Sequence, residues 1–201
     1  MKKNLIVLAL ALASFANAQK GTYLVLGNIG FNSQKLNFSG NDQTQNVFYI
    51  SPKIGYQFTE NWTAGILTGA SFTKSVTDSS VGKSNSYNLG AFVRYSKPLS
   101  EIFEVYADLD SGYGFGSGNY SNSDLATVSK SKSHGFGVTI TPALLLKIKN
   151  GFGLNFSIGG LGYNSGTDKN TFENSLSSSQ KTKSFYFNFG QSFTMGISKK
   201  F

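Results

Sequence analysis

Residues 184–201 read Ser-Phe-Tyr-Phe-Asn-Phe-Gly-Gln-Ser-Phe-Thr-Met-Gly-Ile-Ser-Lys-Lys-Phe. Phe185, Phe187, Phe189, Phe193, Met195, Ile197 and Phe201 occupy odd positions, with Tyr186, Asn188, Gly190, Ser192, Thr194, Gly196 and Ser198 between them. A β-strand points successive side chains to opposite faces, so this stretch has one apolar face and one polar or small face. A soluble sheet would bury the apolar face. A membrane barrel would turn it to lipid and fill its interior with the polar face. With Phe201 as the last residue, the expectation is that this strand closes a transmembrane β-barrel.

The same alternation recurs upstream. Candidate strands run over about 22–32, 47–58, 62–73, 86–96, 102–115, 134–146 and 152–163, which makes eight with the last. The connections alternate between long polar segments and short turns at Thr59-Glu60-Asn61, Pro98-Leu99-Ser100 and Asn150-Gly151. Asn-Gly is the strongest short-range hairpin signal. This rhythm predicts an all-β, eight-stranded antiparallel up-and-down barrel, with long external loops and both ends on the short-turn, periplasmic side. Segments of about ten to twelve residues suit tilted membrane strands. Two irregularities are expected. Pro52 cannot donate to the ladder, and Gly159-Gly160 predicts a bulge.

Aromatic residues cluster at both ends of the apolar faces. Tyr56, Phe58, Trp62, Tyr95, Phe103, Phe152 and Phe201 lie on the turn side; Phe31, Phe48, Phe72, Tyr87, Tyr113, Phe136, Tyr163 and Phe185 lie on the loop side. Two aromatic girdles around an aliphatic band are what bilayer interfaces select. A soluble ligand-carrying barrel would instead turn its apolar face inward.

The beginning of the chain reads as an export signal. Lys2 and Lys3 precede an apolar run from Leu5 to Phe15, too short to span a membrane as a helix, and Ala16-Asn17-Ala18 has the small-x-small cleavage pattern. The expected division is a signal peptide at 1–18 and a barrel domain at 19–201. The chain has no Cys, so neither a disulfide nor a thiolate metal site is available. The formal charge is +8. Export argues against nucleic acid as the partner. The lysines read as scattered through the connections, where they solvate loops or meet anionic lipid head groups.

The inward charges are Lys53, Arg94, Glu104, Asp108 and Asp110. A turn centred on Leu99 would place Arg94 opposite Glu104. The structural reading is an ion-paired plug, since an eight-stranded barrel has room for side chains but not for a wide channel; the functional reading is a gate on an ion path. A Ca²⁺ or acid–base role for Glu104, Asp108 and Asp110 lacks the ligand count and a companion His. His134 is the sole histidine. Its neighbour Ser133 should point to the opposite face, which is poor geometry for a Ser-His nucleophile. Neither Gly112–Gly116 nor Gly159–Gly162 opens a helix, so both read as packing and bulge glycines rather than phosphate loops. No catalytic residue, metal or cofactor is expected.

The signal-like start, eight alternating strands, two girdles and terminal Phe201 resemble the small outer-membrane β-barrel proteins of the OmpA, OmpX and OmpW type, over the whole mature chain. The resemblance implies a Gram-negative outer-membrane location. It also implies insertion by the barrel-assembly machinery, which reads a C-terminal signature similar to Gly196 and Phe201; Lys199 departs from that pattern, where a hydrophobic residue is usual. The expected function is a non-enzymatic structural or surface-interaction role, as a monomer, with outer-membrane lipid including lipopolysaccharide around it. The alternative is a narrow pore or carrier for small solutes, and a lipid hydrolase using His134 is a distant third.

Overall fold

The computed structural model describes residues 21–38, 41–122, 127–172 and 175–201. The candidate signal peptide lies outside them. Eight strands follow in order: β1 (Thr22–Phe38), β2 (Asn41–Gln57), β3 (Trp62–Val76), β4 (Ser80–Pro98), β5 (Phe103–Asn122), β6 (Thr127–Lys147), β7 (Phe152–Phe172) and β8 (Ser175–Lys200). Each pairs antiparallel with the next, and β8 returns to β1 to close the barrel.

The strands are 15 to 26 residues long, longer than the apolar alternation alone marks. The polar segments expected as long loops continue the ladders. Ser33 still pairs with Asn46, Lys74 with Lys83, Lys132 with Lys169 and Lys183 with Ser165. Their backbone is hydrogen-bonded as strand even though both faces meet water, so no apolar periodicity reveals them.

The apolar faces point outward. Ile29, Phe31, Ile54, Ile66, Leu89, Leu109, Tyr113, Phe136, Phe185, Met195 and Ile197 are all exposed. On β6 the outward positions from Phe136 to Leu146 cover about 25 Å of bilayer at ordinary strand tilt. Rings meet across neighbouring strands in both girdles. Trp62 packs on Tyr95 at 4.9 Å between centroids on the turn side, and Phe72 on Tyr87 at 6.0 Å on the other.

The turns follow their sequences. Asn150 (φ 62°) and Gly151 (φ 77°) both take the left-handed conformation an Asn-Gly turn needs. The bulge falls at Gly159, with φ 115°. It changes which face each parity occupies: Asn155 points inward before it, and Gly160 and Gly162 after it. Pro52 sits opposite Gly27 in an unbroken β1–β2 register, while the β2–β3 ladder skips from Ile50 to Lys53. The missing donor is thus absorbed on one side only.

Closure is uneven. β1 and β8 pair only through Leu24–Gly27 with Ile197–Lys200, near the turn side. Among the described residues the rest of β1 and β8 is not joined by ladder pairs. On β8 the register against β7 also shifts between Phe189 and Thr194, around Gly190 with φ 76°.

Candidate functional site: the charged plug and outer vestibule

The turn between β4 and β5 decides the central contact. Leu99 N–H and Ser100 N–H both donate to Phe103 O, at 2.9 and 3.1 Å, and Ser100 Oγ accepts from Phe103 N–H. The turn therefore centres on Glu101, not Leu99. Pro98 faces Glu104, and Arg94 faces Asp108. The expected Arg94–Glu104 pair is corrected to Arg94–Asp108. Both expectations leave Arg94 pointing inward, because the shift preserves the two-residue period.

Arg94 is 1% exposed. Its Nε and Nη2 donate to the two oxygens of Asp108 at 2.6 and 2.9 Å, a bidentate fork. Its guanidinium carbon lies 3.6 Å from the Tyr106 ring centroid. Nη1 has no partner among the described atoms. Lys53 crosses from β2 to join the group, with Nζ 3.1 Å from Asp108 and 2.7 Å from Asp110. Tyr106 Oη donates to Asn155 Oδ1 at 3.0 Å, and Asn155 Nδ2 donates to Ser198 Oγ at 2.9 Å. Side chains of β2, β4, β5, β7 and β8 are thereby tied across the lumen.

Glu104 forms a second group nearer the turns. Lys147 and Lys200 approach it at 3.2 and 3.3 Å. Of the five charges expected inside, the structure joins Lys53, Arg94, Asp108 and Asp110 and sets Glu104 with two lysines that local alternation did not single out. Those pairs depend on barrel shear, because Lys200 is brought to β5 from across the lumen.

Apolar side chains seal the spaces between the charges. Leu24, Phe92 and Leu145 are buried inside the barrel. Phe92 lies against two glycines: a Cβ on Gly55 would come 2.7 Å from its Cζ, and one on Gly65 2.7 Å from its Cε1. These glycines are what admit a large ring into a narrow barrel.

Above the plug the interior changes. A cavity of about 930 Å³ extends from Lys53, Asp108 and Asp110 at its floor to Ser133, Asn164 and Thr182 near the long-hairpin end. Its walls combine glycine, hydroxyl and amide groups, among them Asn28, Ser51, Asn88 and Thr139, with apolar carbon from residues such as Leu26, Leu67 and Tyr106. The site is a vestibule with the ion-paired charges at its inner end.

His134 is on the outward face, stacked on Tyr113 at 6.4 Å, while Ser133 lies on the lumen side. Their opposite directions provide no Ser-His pair. Among the described residues no group of three or more His, Asp or Glu is placed to hold a metal. Phe201 is exposed and exchanges backbone hydrogen bonds with Tyr23, at 2.9 and 3.3 Å. Lys199 turns outward and lays its ammonium 4.7 Å from the Phe152 ring centroid and 4.5 Å from that of Phe201. A cation stacked on two girdle rings accounts for a lysine where a hydrophobic residue is usual.

No family model and no curated protein matches the chain. Solved structures do. A major outer membrane protein from Thermus thermophilus matches with a TM-score of 0.56 at 12% identity, over 91% of this chain and 100% of that one. The translocator domain of the autotransporter NalP from Neisseria meningitidis matches with a TM-score of 0.53 at 16% identity, over 92% of this chain but 66% of that one. The chain has the closed antiparallel fold of bacterial outer-membrane β-barrels, with eight strands.

Proposed function

We propose that this protein is a non-enzymatic, monomeric outer-membrane barrel that serves the envelope as a structural and surface-interaction element. The plug carries the reading. A bidentate Arg94–Asp108 pair, bridged by Lys53 to Asp110 and packed with Leu24, Phe92 and Leu145, fills the lumen at its inner end. Paired charges with satisfied oxygens rigidify a small barrel and leave no continuous water path. What remains accessible is the vestibule and the four hairpins on the external side. The exposed Phe201, pinned to β1, is the natural handle for the barrel-assembly machinery, with Gly196 just before the closing pairs.

The pore reading is tested by single-channel recording of the refolded mature protein in a planar bilayer, beside Arg94→Ala. The expected result is a silent wild type, with folding confirmed by heat-modifiable gel migration. Discrete wild-type openings that grow in Arg94→Ala would replace the structural reading with a gated pore.

A further inference from the structure

We propose that the outward face of β6–β8, just beyond the external aromatic girdle, binds the phosphate groups of an outer-leaflet lipid. The proposal deepens the outer-membrane reading above and rests on its orientation. Sequence order splits these lysines between two connections, but the ladder gathers them. Past Phe136 the outward positions of β6 are His134, Lys132 and Lys130. Past Tyr163 those of β7 are Ser165, Thr167 and Lys169, and past Phe185 those of β8 are Lys183 and Lys181. Lys132 pairs directly with Lys169, while Thr167 lies between His134 and Lys181 in one cross-strand row. Neighbouring strands are about 5 Å apart, so the five ammonium groups share one patch.

Among the described residues no carboxylate neutralises that patch. None of the five lysines has an ion pair among the described residues, and Asp168, the carboxylate nearest in sequence, alternates to the lumen and lines the vestibule. Like charges directly opposite on a ladder repel. The neighbouring row, that of Lys130, continues through Asn119 to a second like-charged pair, Lys83 with Lys74. The β1–β2 hairpin shows the contrast. There Lys35 meets Asp42 at 2.6 Å, and that hydrogen bond raises the ammonium pKa above its ordinary value.

Position selects the occupant. Each outward step is about 6.6 Å along a strand, so the lysines stand roughly 5–15 Å beyond the girdle once tilt is included. Lipid phosphates lie within about 5–8 Å of the hydrocarbon boundary that the rings below mark, so the nearer lysines meet them directly and the farther ones by bending their long side chains back. Ser117, Ser165 and Thr167 add hydroxyl donors between the charges, on the outward positions that flank them. A phosphorylated lipid meets both the rings and the lysines; a soluble polyanion meets only the second.

The test is retention of bisphosphorylated lipid A, present at limiting amount in phosphatidylcholine nanodiscs, counted per barrel by mass spectrometry. Wild type and Lys35→Gln are expected to enrich lipid A. The triple variant Lys132→Gln/Lys169→Gln/Lys181→Gln is expected to lose enrichment on the order of a hundredfold, from roughly one kcal/mol per lysine near a charged surface. Lipid A stripped of its phosphates should not be enriched. Equal enrichment by the folded triple variant, or of phosphate-free lipid A, overturns the proposal. Complete displacement by inorganic phosphate would reassign the patch to small anions and overturn the lipid as occupant. The barrel's silence or conductance in a planar bilayer is independent of all these outcomes.

Discussion

Arg94 is held on three sides, by the Asp108 fork, by the Tyr106 ring and by its own strand. Removing one member of a buried pair leaves the other charged without a full partner, which typically costs about 3–5 kcal/mol. Arg94→Ala should therefore lower the urea midpoint of unfolding in detergent by a corresponding amount, despite the remaining Lys53 contact to Asp108. Arg94→Lys separates charge from shape. It keeps the positive charge but loses the fork and the planar stack, so it should recover only part of the loss. Full recovery by lysine would mean that the geometry of the guanidinium is immaterial. Phe92 offers a second residue-scale check through its glycine neighbours. Gly65→Ala would set a methyl against Phe92 and against the Ile54 carbonyl. It should destabilise the barrel by about 1–3 kcal/mol, as overpacking usually does, measured by the same unfolding midpoint.

At the scale of elements, alternation revealed the eight strands because lipid selects one face of each so strongly. It revealed the Asn150-Gly151 turn and the Gly159 bulge because both need glycine's backbone freedom. Gly159→Ala should reduce folding yield in a refolding assay, because its φ of 115° is strained for alanine and a Cβ would strike the Asn188 backbone. The hairpin extensions were hidden, since polar residues on both faces leave no period to read. The Arg94 partner was missed for a different reason: Pro98-Leu99-Ser100 looks like a complete reversal, yet the chain turns two residues later, around Glu101. The Glu104 partners Lys147 and Lys200 lie on β6 and β8, and no local pattern encodes how strands shear around a barrel. The lysine patch was obscured in the same way, since its members are adjacent only through the ladder. The short β1–β8 closure has its own consequence. From Asn28 upward, amides on the β8 side of β1 lack ladder partners among the described residues. Hydrogen exchange should find them less protected, by about tenfold or more, than amides of the fully paired β4–β5 ladder. Uniform protection would show the seam closed in the membrane.

The whole molecule is asymmetric along its axis. The turn side holds the ion pairs and the packed apolar side chains, and the hairpin side holds a vestibule of about 930 Å³ ringed outside by lysines. The absence of native cysteine makes this directly measurable with single introduced thiols. Ser51→Cys and Asn88→Cys place a thiol in the vestibule wall, and Ser96→Cys places one below the plug, where the native serine is 3% exposed. Each is exposed to a membrane-impermeant maleimide added from outside intact cells. A plugged lumen predicts rapid labelling at positions 51 and 88, none at 96, and labelling at 96 once Arg94→Ala is added. Labelling at 96 as fast as at 51 and 88 in the otherwise wild-type barrel would contradict the plug and leave an open channel in its place.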